Sequence, residues 1–549
     1  MRDNKRPAAF RGGPLHIRTG NGDNRRLEDI GMRRIMIWLG WILLALVVLA
    51  ISGLLLADHL TPRATGTPSS ALPLQPAQTA IDRELAPWLA EHPGQTGATL
   101  LPNGLDAFAV RATSARLAGR SLDLQYYMWH DDLVGRLLAR EIHAAAERGV
   151  RVRLLLDDIN TKGLDPALLA LDAHPNIEVR LYNPFRNRHG LWRLLEMVQR
   201  FFSINHRMHN KAWIVDGRLA VVGGRNIGNE YFDASERVNF RDLDMLLLGP
   251  AVGDASDVFD RFWNSDAVVP IHALNPQSPA RLQALVQRIT HEPEAAGAQV
   301  YMQRLAASPS VQRLVNHELV LHWSPNITVA SDPPQKRRGD DRQAWLQPRL
   351  IAHLDEARAQ VELISPYFVP GDNGTRRLLE LRHDGLGVGV VTNSLAANDV
   401  PAVHSGYERY RPRLLDGGVE LFELRRNGPK VATSLFGSSG ASLHTKAFVI
   451  DNRRGFVGSF NLDPRSANLN TEMGVLFDDP ALGHDLHQEY LRLASPTLSY
   501  RVQRGKNGKM QWLDGATQPP QVLDHEPEAG WWLRSITRVM SWLPIESQL

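Results

Sequence analysis

Cysteine is absent from the 549-residue sequence, and lysine is scarce. Without cysteine the chain has no disulfide, no thiolate nucleophile and no Cys-ligated zinc or iron–sulfur centre. The redox compartment is therefore undetermined by composition. Only eight of the 62 Lys and Arg residues are lysines, so a pattern that uses lysine twice at one spacing is informative. HExxH and Asp-rich metal-binding runs are also missing.

The chain also carries little net charge. Its formal net charge is +3, and its hydrophobic and charged fractions are 43% and 22%, as in ordinary globular proteins. This charge is only weak support for nucleic-acid binding, which usually needs a strongly basic surface. The length predicts about three domains.

Charged residues are missing from one long stretch near the N-terminus. Residues 35–57, IMIWLGWILLALVVLAISGLLLA, are 23 positions without a charge, enough for a helix to cross a bilayer core of about 30 Å. A transmembrane helix is predicted; a cleaved signal peptide is the alternative, although its apolar region is usually shorter. Residues 1–34 contain nine Lys and Arg, so the positive-inside rule places the N-terminus in the cytoplasm and the bulk of the chain across the membrane.

The rest of the chain alternates between strand and helix patterns, and the order occurs twice. Strand SLDLQYYMW, a helix and strand VRVRLLLD come first, and VELISPYF, TRRLLELRH and VGVVTN repeat them, with matching elements 235 to 242 residues apart. An internal duplication explains this repeat. The predicted fold class is α/β, with two duplicated halves whose mixed, mainly parallel sheets are flanked by helices and whose interface holds a shared active site.

The predicted domain boundaries follow these patterns. They give a basic N-terminal segment (1–34), a transmembrane helix (35–57), a Pro- and Ser-rich linker (58–95), the first half (96–300), a connector (301–345), the second half (346–500) and a C-terminal extension with an amphipathic helix (501–549). The Trp-rich helix GWWLRSITRVMSWL either lies in a membrane interface or packs on the protein core. The segment WRLLEMVQRFF (192–202) is likewise either a lipid-facing lid or a buried helix.

One motif is written twice, as RMHNKAWIVDGRLAVVGGRN (207–226) and SLHTKAFVIDNRRGFVGSFN (442–461). The offsets from the histidine are 2, 7, 14, 15 and 17 in both copies. The motif residues are His209, Lys211, Asp216, Gly223, Gly224 and Asn226 in the first copy, and His444, Lys446, Asp451, Gly458, Ser459 and Asn461 in the second. With so few lysines, two such matches are not expected by chance.

Both copies have the aromatic and β-branched composition of strands. On a strand, residues two apart share a face, so each His projects together with its Lys. Each Asp falls on the other face near a turn, where a structural hydrogen-bonding role is favoured over a reactive one. The following Gly-Gly or Gly-Ser allows close backbone approach, and the Asn amide can donate a hydrogen bond.

Two such copies facing each other predict a site for a phosphodiester. The lysines and amides would stabilise the charge of the transition state, one neutral imidazole would attack phosphorus, and the other would transfer protons. Asp242 and Glu472 follow the two copies and are candidates to orient the histidines. A lysine beside each histidine would repel a cation, so neither a metal nor a cofactor is predicted. The alternative of two buried structural histidines is weakened by the duplication.

At these residues the sequence resembles the phospholipase D superfamily, whose signature is the paired HxKxxxxD followed by Gly-Gly or Gly-Ser and Asn. The resemblance covers about residues 95–500. QYYMW, RVRLLLDD, VGGRNIGNEYF, TNSLAANDV and GSFNLDPRSANLNTEMG are similar to bacterial cardiolipin synthases, and the C-type branch is the nearest in these motifs. The two halves are accordingly expected to be phospholipase D-like.

The resemblance implies a metal-independent double displacement through a phosphatidyl-histidine. A phosphatidyl group would pass from phosphatidylethanolamine or phosphatidylglycerol to phosphatidylglycerol, which makes cardiolipin. It assigns His209 as the nucleophile and His444 as the acid and base. The remaining implied roles are catalytic for Lys211, Lys446, Asp216 and Asp451, phosphate-binding for Asn226, Asn461 and Ser459, and His-orienting for Asp242 and Glu472.

The expected partners are phospholipids and the bacterial inner membrane, with the catalytic domain in the periplasm; no nucleic acid is expected. The single N-terminal span departs from the family pattern. The main alternative is a phospholipase D that transfers the intermediate to water and releases phosphatidic acid. A nuclease of the same superfamily and a non-catalytic membrane scaffold are weaker alternatives.

Overall fold

The structure of the chain is a computed structural model. It describes residues 34, 36–49, 52–53, 66–75, 77–188, 190–200, 203–276, 278–291, 296–316, 318–426, 443–543 and 546.

The strands within this part of the chain form two sheets. They are β1 (Thr96–Leu101), β2 (Ser121–Tyr126), β3 (Arg151–Asp157), β4 (Ile177–Tyr182), β5 (Ala212–Val215), β6 (Leu219–Gly223), β7 (Asp244–Leu248), β8 (Val268–Pro270), β9 (His322–Ser324), β10 (Ile327–Ser331), β11 (Gln360–Ile364), β12 (Gly387–Asn393), β13 (Glu420–Leu424), β14 (Lys446–Ile450), β15 (Arg454–Gly458), β16 (Met473–Asp478), β17 (Ser499–Arg504), β18 (Met510–Asp514) and β19 (Gln521–Leu523).

Helices pack against the faces of these sheets. They are α1 (Ala80–Glu91), α2 (Gly104–Leu117), α3 (Leu133–Glu147), α4 (Asp165–Asp172), α5 (Gly190–Gln199), α6 (Pro250–Trp263), α7 (Ile271–Leu274), α8 (Pro279–His291), α9 (Ala296–Ala307), α10 (Pro309–Val315), α11 (Leu346–Leu354), α12 (Gly371–His383), α13 (Pro401–Glu408), α14 (Arg411–Asp416), α15 (Pro464–Asn468), α16 (Pro480–Ala494) and α17 (Trp531–Met540).

The strand orders confirm the duplication. The first sheet runs β8-β4-β3-β2-β5-β6-β7-β1-β9, and the second runs β10-β16-β15-β14-β11-β12-β13-β17-β18-β19. The run β4-β3-β2-β5-β6-β7 in the first sheet therefore matches β13-β12-β11-β14-β15-β16 in the second. Both motif copies form the same hairpin, β5–β6 and β14–β15, at the middle of their sheets.

The sheets are mixed, as predicted, but the expectation of mainly parallel strands is wrong. Only β2–β3–β4 and β11–β12–β13 pair in parallel among the described strands. These are the strands joined by crossover helices, which parallel pairing requires. The motif hairpins and the strands that flank them add antiparallel pairs on the other side. The sequence pattern of a buried strand does not distinguish the two directions.

The two halves share a core. One cluster of buried residues combines the inner faces of both sheets with α6 and α16, and it includes Ile214, Val222, Phe259, Val457 and Leu486. Each half has a further core of its own beneath its outer helices. Because the inner faces pack on each other, the motif hairpins of the two halves are held in one place.

The segments outside the predicted halves also contain ordered elements. Helix α1 lies in the predicted linker, and residues 67 and 69 accept hydrogen bonds from Arg180 and Arg153 of the first half. In the connector, β9 joins the first sheet and β10 the second. Strands β17 to β19 extend the second sheet into the C-terminal region.

The described residues between 34 and 53 are helical. Within the described part of the chain, no helix has both the length and the apolar character needed to cross a bilayer. Residues 35, 50, 51 and 54–57 of the predicted transmembrane segment lie outside the described residues.

Candidate active site

The two motif histidines lie just before equivalent strands. Met208 forms a bridge to Thr471, and the His209 amide donates to the Thr471 carbonyl at 2.8 Å. In the other half Leu443 bridges to Arg241, and the His444 amide donates to the Arg241 carbonyl at 2.8 Å. The backbone before each histidine is thus hydrogen-bonded to the opposite half.

The carboxylates that contact the histidines are exchanged between the halves. His209 Nδ1 lies 2.8 Å from Glu472 Oε2, and His444 Nδ1 lies 2.6 Å from Asp242 Oδ2. Both carboxylates are buried. A carboxylate on Nδ1 fixes the imidazole so that Nε2 is available for chemistry. Each histidine therefore depends on a residue of the other half.

Gly224 and Ser459, which are equivalent in the two motif copies, each lie against one of these carboxylates. Gly224 has no side chain, and a Cβ there would stand 2.1 Å from Asp242 Oδ1. Its counterpart Ser459 donates its hydroxyl to Glu472 Oε2 at 2.5 Å. The Ser459 carbonyl also lies 3.1 Å from His209 Nδ1. The structure thus places the Ser459 hydroxyl on a carboxylate, whereas the sequence predicted a phosphate contact.

Both lysines are buried beside their histidines. The Lys211 ammonium donates to the His209 carbonyl at 2.7 Å, and the Lys446 ammonium donates to the His444 carbonyl. Burial lowers the pKa of Lys211 well below its usual value and that of Lys446 to about 8, although the neighbouring carboxylates raise both. Two desolvated ammonium groups in one place provide a strong attraction for an anion.

The histidines are neutral in the free protein. Burial lowers the pKa of His209 to about 4, although Glu472 raises it. Burial and the adjacent Lys446 lower the pKa of His444 to about 4 as well, against the effect of Asp242. Burial raises the pKa of Asp242 and Glu472, but the contacts with His444 and His209 and the nearby lysines outweigh it and hold the pKa of both carboxyl groups below the usual value. A neutral imidazole is the form that can act as a nucleophile or base.

The predicted amide groups belong to Asn226 and Asn461. Asn226 and Asn461 are buried, and the amide oxygen of each has no hydrogen-bond partner among the described residues. The Asn226 nitrogen donates to the Tyr231 hydroxyl at 3.0 Å.

The motif aspartates lie elsewhere, at the hairpin turns. Asp216 accepts hydrogen bonds from the backbone amides of residues 119, 120 and 121, and Asp451 from those of 358, 359 and 360. Both have positive φ, 52° and 53°, as a tight hairpin turn requires. Each therefore ties its hairpin to the start of the neighbouring central strand, β2 or β11.

Comparisons with known proteins agree with this geometry. The family described as "Cardiolipin synthase, PLD-like domain" matches residues 113–263 and 350–494. Cardiolipin synthase C of Escherichia coli K12 is 40% identical over 464 residues, which are 84% of this chain and 98% of that protein. The chain belongs to the cardiolipin synthase family of phospholipase D-like proteins. It is an enzyme of the phospholipase D superfamily.

The chain is also similar to more distant proteins. A cardiolipin synthase of Halalkalibacterium halodurans is 24% identical over 71% of this chain and 65% of that protein. Among solved structures, phosphatidylserine synthase of Haemophilus influenzae Rd KW20 matches with a TM-score of 0.53 and 14% identity, over 85% of this chain and 99% of that one. The latter comparison supports the fold alone.

The sequence analysis did not predict two polar residues that hold the backbone before the motif histidines. Asp157 ends β3 and accepts from the Met208 amide at 2.8 Å; Asn393 ends β12 and accepts from the Leu443 amide at 3.0 Å. Each fixes the residue before a motif histidine. Polar residues at the C-terminal ends of parallel strands are a general signal of a site, and that signal was available.

Aromatic rings surround the histidines. The rings of Tyr127 and His209 lie 5.0 Å apart, those of Tyr231 and His444 lie 5.1 Å apart, and Phe240 stacks on His444 at 5.6 Å.

Potential cation ligands lie near one another in two groups of described residues. The groups are His130, Asp132 and Glu230, and His404, Glu408 and Glu526. Neither group contains a motif histidine.

Proposed function

We propose that this enzyme is a phosphatidyltransferase that makes cardiolipin by transfer to phosphatidylglycerol, with phosphatidylethanolamine or phosphatidylglycerol as donor. The observation that carries the proposal is the crossed pairing of His209 with Glu472 and of His444 with Asp242, which brings two histidines and two lysines together. Such a centre suits displacement at a phosphodiester. The likeness to Cardiolipin synthase C supports a lipid acceptor over water.

In the first step His209 Nε2 attacks the phosphorus of the donor. The bond from phosphorus to the headgroup oxygen breaks, a bond from phosphorus to nitrogen forms, and His444 gives its proton to the leaving alcohol. His444 must carry a proton for this step. Asp242 at its Nδ1 and the anionic phosphate of the bound donor both favour the imidazolium, so substrate binding raises a pKa that burial lowers in the free enzyme.

In the second step the headgroup hydroxyl of phosphatidylglycerol takes the place of the departed alcohol. His444 accepts the hydroxyl proton as its oxygen attacks phosphorus, and the bond to His209 breaks. Cardiolipin leaves, and His209 is neutral again. The Lys211 and Lys446 ammonium groups stabilise the negative charge on the non-bridging oxygens in both transition states.

The assignment of His209 as nucleophile rests on the family resemblance and agrees with exposure. Its side chain is 8% exposed, whereas that of His444 is 15% exposed. The alcohols must enter and leave beside the acid and base, so the more accessible histidine fits that role.

A membrane location is part of the proposal. The charge-free stretch 35–57 and the nine basic residues before it support a single span with a cytoplasmic N-terminus and a periplasmic catalytic domain in a bacterial inner membrane. Helix α17 supports contact with lipid as well. It packs on the protein through Leu533, while Trp531 and Trp532 of the helix and Trp542 just after it are 69%, 59% and 77% exposed.

The deciding experiment uses the purified full chain with vesicles of labelled phosphatidylglycerol, with and without phosphatidylethanolamine. We expect labelled cardiolipin from the wild type and none from His209→Ala or His444→Ala. With a slow acceptor, wild type denatured with detergent at mildly alkaline pH, where a phosphorus–nitrogen bond to histidine survives, should retain label on protein, and His209→Ala should not. Phosphatidic acid without cardiolipin would show that water is the acceptor and that the enzyme is a phospholipase D.

A further inference from the structure

Asp399 is a carboxylate beside the catalytic centre that the two-step mechanism does not use. It lies in the loop after β12, and the Tyr367 hydroxyl donates to its two oxygens at 2.8 and 2.9 Å. Burial raises its pKa, and its charge is near enough to Lys446 and Tyr231 to raise their pKa in turn. In the described part of the chain no basic side chain forms an ion pair with it.

Aromatic rings line the same side of the centre. Tyr231 and Phe240 both contact the His444 ring, and Tyr231 is near enough to Tyr367 to raise the pKa of the Tyr367 hydroxyl. The Asn226 amide nitrogen is already bound to the Tyr231 hydroxyl, so its oxygen is left as a buried acceptor without a partner among the described residues. A ligand that pairs with this oxygen must donate a hydrogen bond.

The two sides of the centre differ in charge. On the His209 side, Tyr127 lies beside the neutral Asn160. The charges that reach it are those of Asp157 and Arg207, which form an ion pair at 3.4 Å, and that of Arg465. On the His444 side, the carboxylates are Asp399 and Glu230, the latter paired with His130 at 3.2 Å. The fold is duplicated, but this polarity is not. It makes the His444 side the favourable place for a positive charge.

We infer that Asp399, the rings of Tyr231, Tyr367 and Phe240, and the Asn226 amide oxygen form a subsite for the primary ammonium of an ethanolamine headgroup. The inference rests on the proposed function, in which the leaving alcohol departs at His444. A carboxylate at this position repels a phosphate, whereas it attracts an ammonium, and aromatic faces add cation–π attraction. Once ethanolamine has left, the same acceptors can hold the hydroxyls of the incoming glycerol headgroup.

The test compares two donors that differ only at this group. Phosphatidylethanolamine and phosphatidylpropanol have headgroups of nearly equal size, but an ammonium in the first replaces a methyl in the second. Acyl-labelled donor is supplied in vesicles with unlabelled phosphatidylglycerol, and kcat/KM for labelled cardiolipin is measured for each donor. We expect the wild type to prefer phosphatidylethanolamine by at least about tenfold.

Asp399→Asn should bring the two donors to within about twofold of each other, mainly through KM for phosphatidylethanolamine, because the amide keeps the Tyr367 hydrogen bond but loses the charge. Asp399→Glu should restore part of the preference. Asp384→Asn makes the same chemical change at an exposed position of the same half and serves as the matched control. As a measurement that needs no variant, phosphoethanolamine should inhibit the wild type about tenfold better than propyl phosphate.

An equal loss with both donors in Asp399→Asn would overturn the subsite and leave Asp399 as a support for Tyr367 or Lys446. So would a wild type that does not discriminate between the donors or between the soluble inhibitors. Failure of the proposed function looks different: labelled phosphatidic acid would replace cardiolipin with every donor. The donor ratio would then still report on the subsite.

Discussion

Glu472 and Asp242 act on histidines of the half to which they do not belong. Replacing Glu472 by Gln keeps its size but removes the charge that fixes the His209 tautomer. We expect Glu472→Gln to lower kcat by about a hundredfold or more, and Asp242→Asn to act similarly through His444.

The matched control is Glu420→Gln, because Glu420 lies in the same half in an exposed pair with Arg501. The measurement is turnover of labelled phosphatidylglycerol by variants that retain the wild-type melting temperature. Activity within twofold of wild type in Glu472→Gln would mean that the carboxylate is not needed to orient His209.

The lowered pKa of Lys446 predicts that activity falls at alkaline pH. Its charged form stabilises the phosphate, and burial lowers its pKa to about 8 in the free enzyme. As pH rises through about 8 the ammonium loses its proton, so kcat/KM should fall, while kcat should fall at higher pH because the bound anion favours the charged form. Lys446→Arg stays charged throughout, and its lower activity should lack this limit. The same limit in both proteins would assign it to another group.

At the scale of elements, the motif hairpins depend on their aspartates for stability. Asp216→Ala removes an acceptor shared by three backbone amides at the start of β2, and Asp451→Ala does the same at β11. Each should lower the free energy of unfolding by about 2 to 4 kcal/mol, and the folded fraction should keep most of its activity. Denaturant unfolding together with activity per folded molecule separates this role from a chemical one. Loss of turnover without loss of stability would make the aspartates reactants.

Helix α17 gives a prediction about lipid contact. Its tryptophans face outward while Leu533 holds it on the protein, so the membrane-interface and core-packing alternatives raised by the sequence are compatible. We expect brominated lipids to quench part of the tryptophan fluorescence of the reconstituted full chain. Trp531→Ser, Trp532→Ser and Trp542→Ser together should remove part of that quenching and leave the part from Trp38 and Trp41 of the proposed span, whereas Trp345→Phe, at a buried position, should leave the quenching unchanged.

The sequence predicted the duplicated halves, the mixed sheets and the motif hairpins, because strand composition and the Asp-Gly turn are local signals. It did not predict that the carboxylates are exchanged, since only packing decides which histidine Asp242 meets. Asp157, Asn393 and Asp399 were also missed. Asp157 matches Asn393, and Asn160 matches Asp399, but the residue type differs between the copies, so a search for identical residues at one spacing does not find them. The prediction of mainly parallel strands was wrong because strand direction depends on pairing partners that are far away in the chain.

At the scale of the whole molecule, the absence of cysteine allows the topology to be mapped with single introduced thiols. We expect Asn507→Cys, in the exposed turn between β17 and β18, to react with a membrane-impermeant maleimide in spheroplasts. Thr19→Cys, in the basic N-terminal segment, should react only after the membrane is permeabilised. The reverse pattern would place the catalytic domain in the cytoplasm, and reaction of both without permeabilisation would argue against a span.

The exchange of carboxylates also constrains how this chain can evolve. A single phospholipase D-like half of this kind has a histidine without its carboxylate and a carboxylate without its histidine. Two copies of an ancestral half would complete each other about a twofold axis, and fusion into one chain would free the copies to diverge. Asp399 and Asn160 then record that divergence: a symmetric site binds an asymmetric ligand equally well in two orientations, whereas a fused one can assign its two sides to different alcohols.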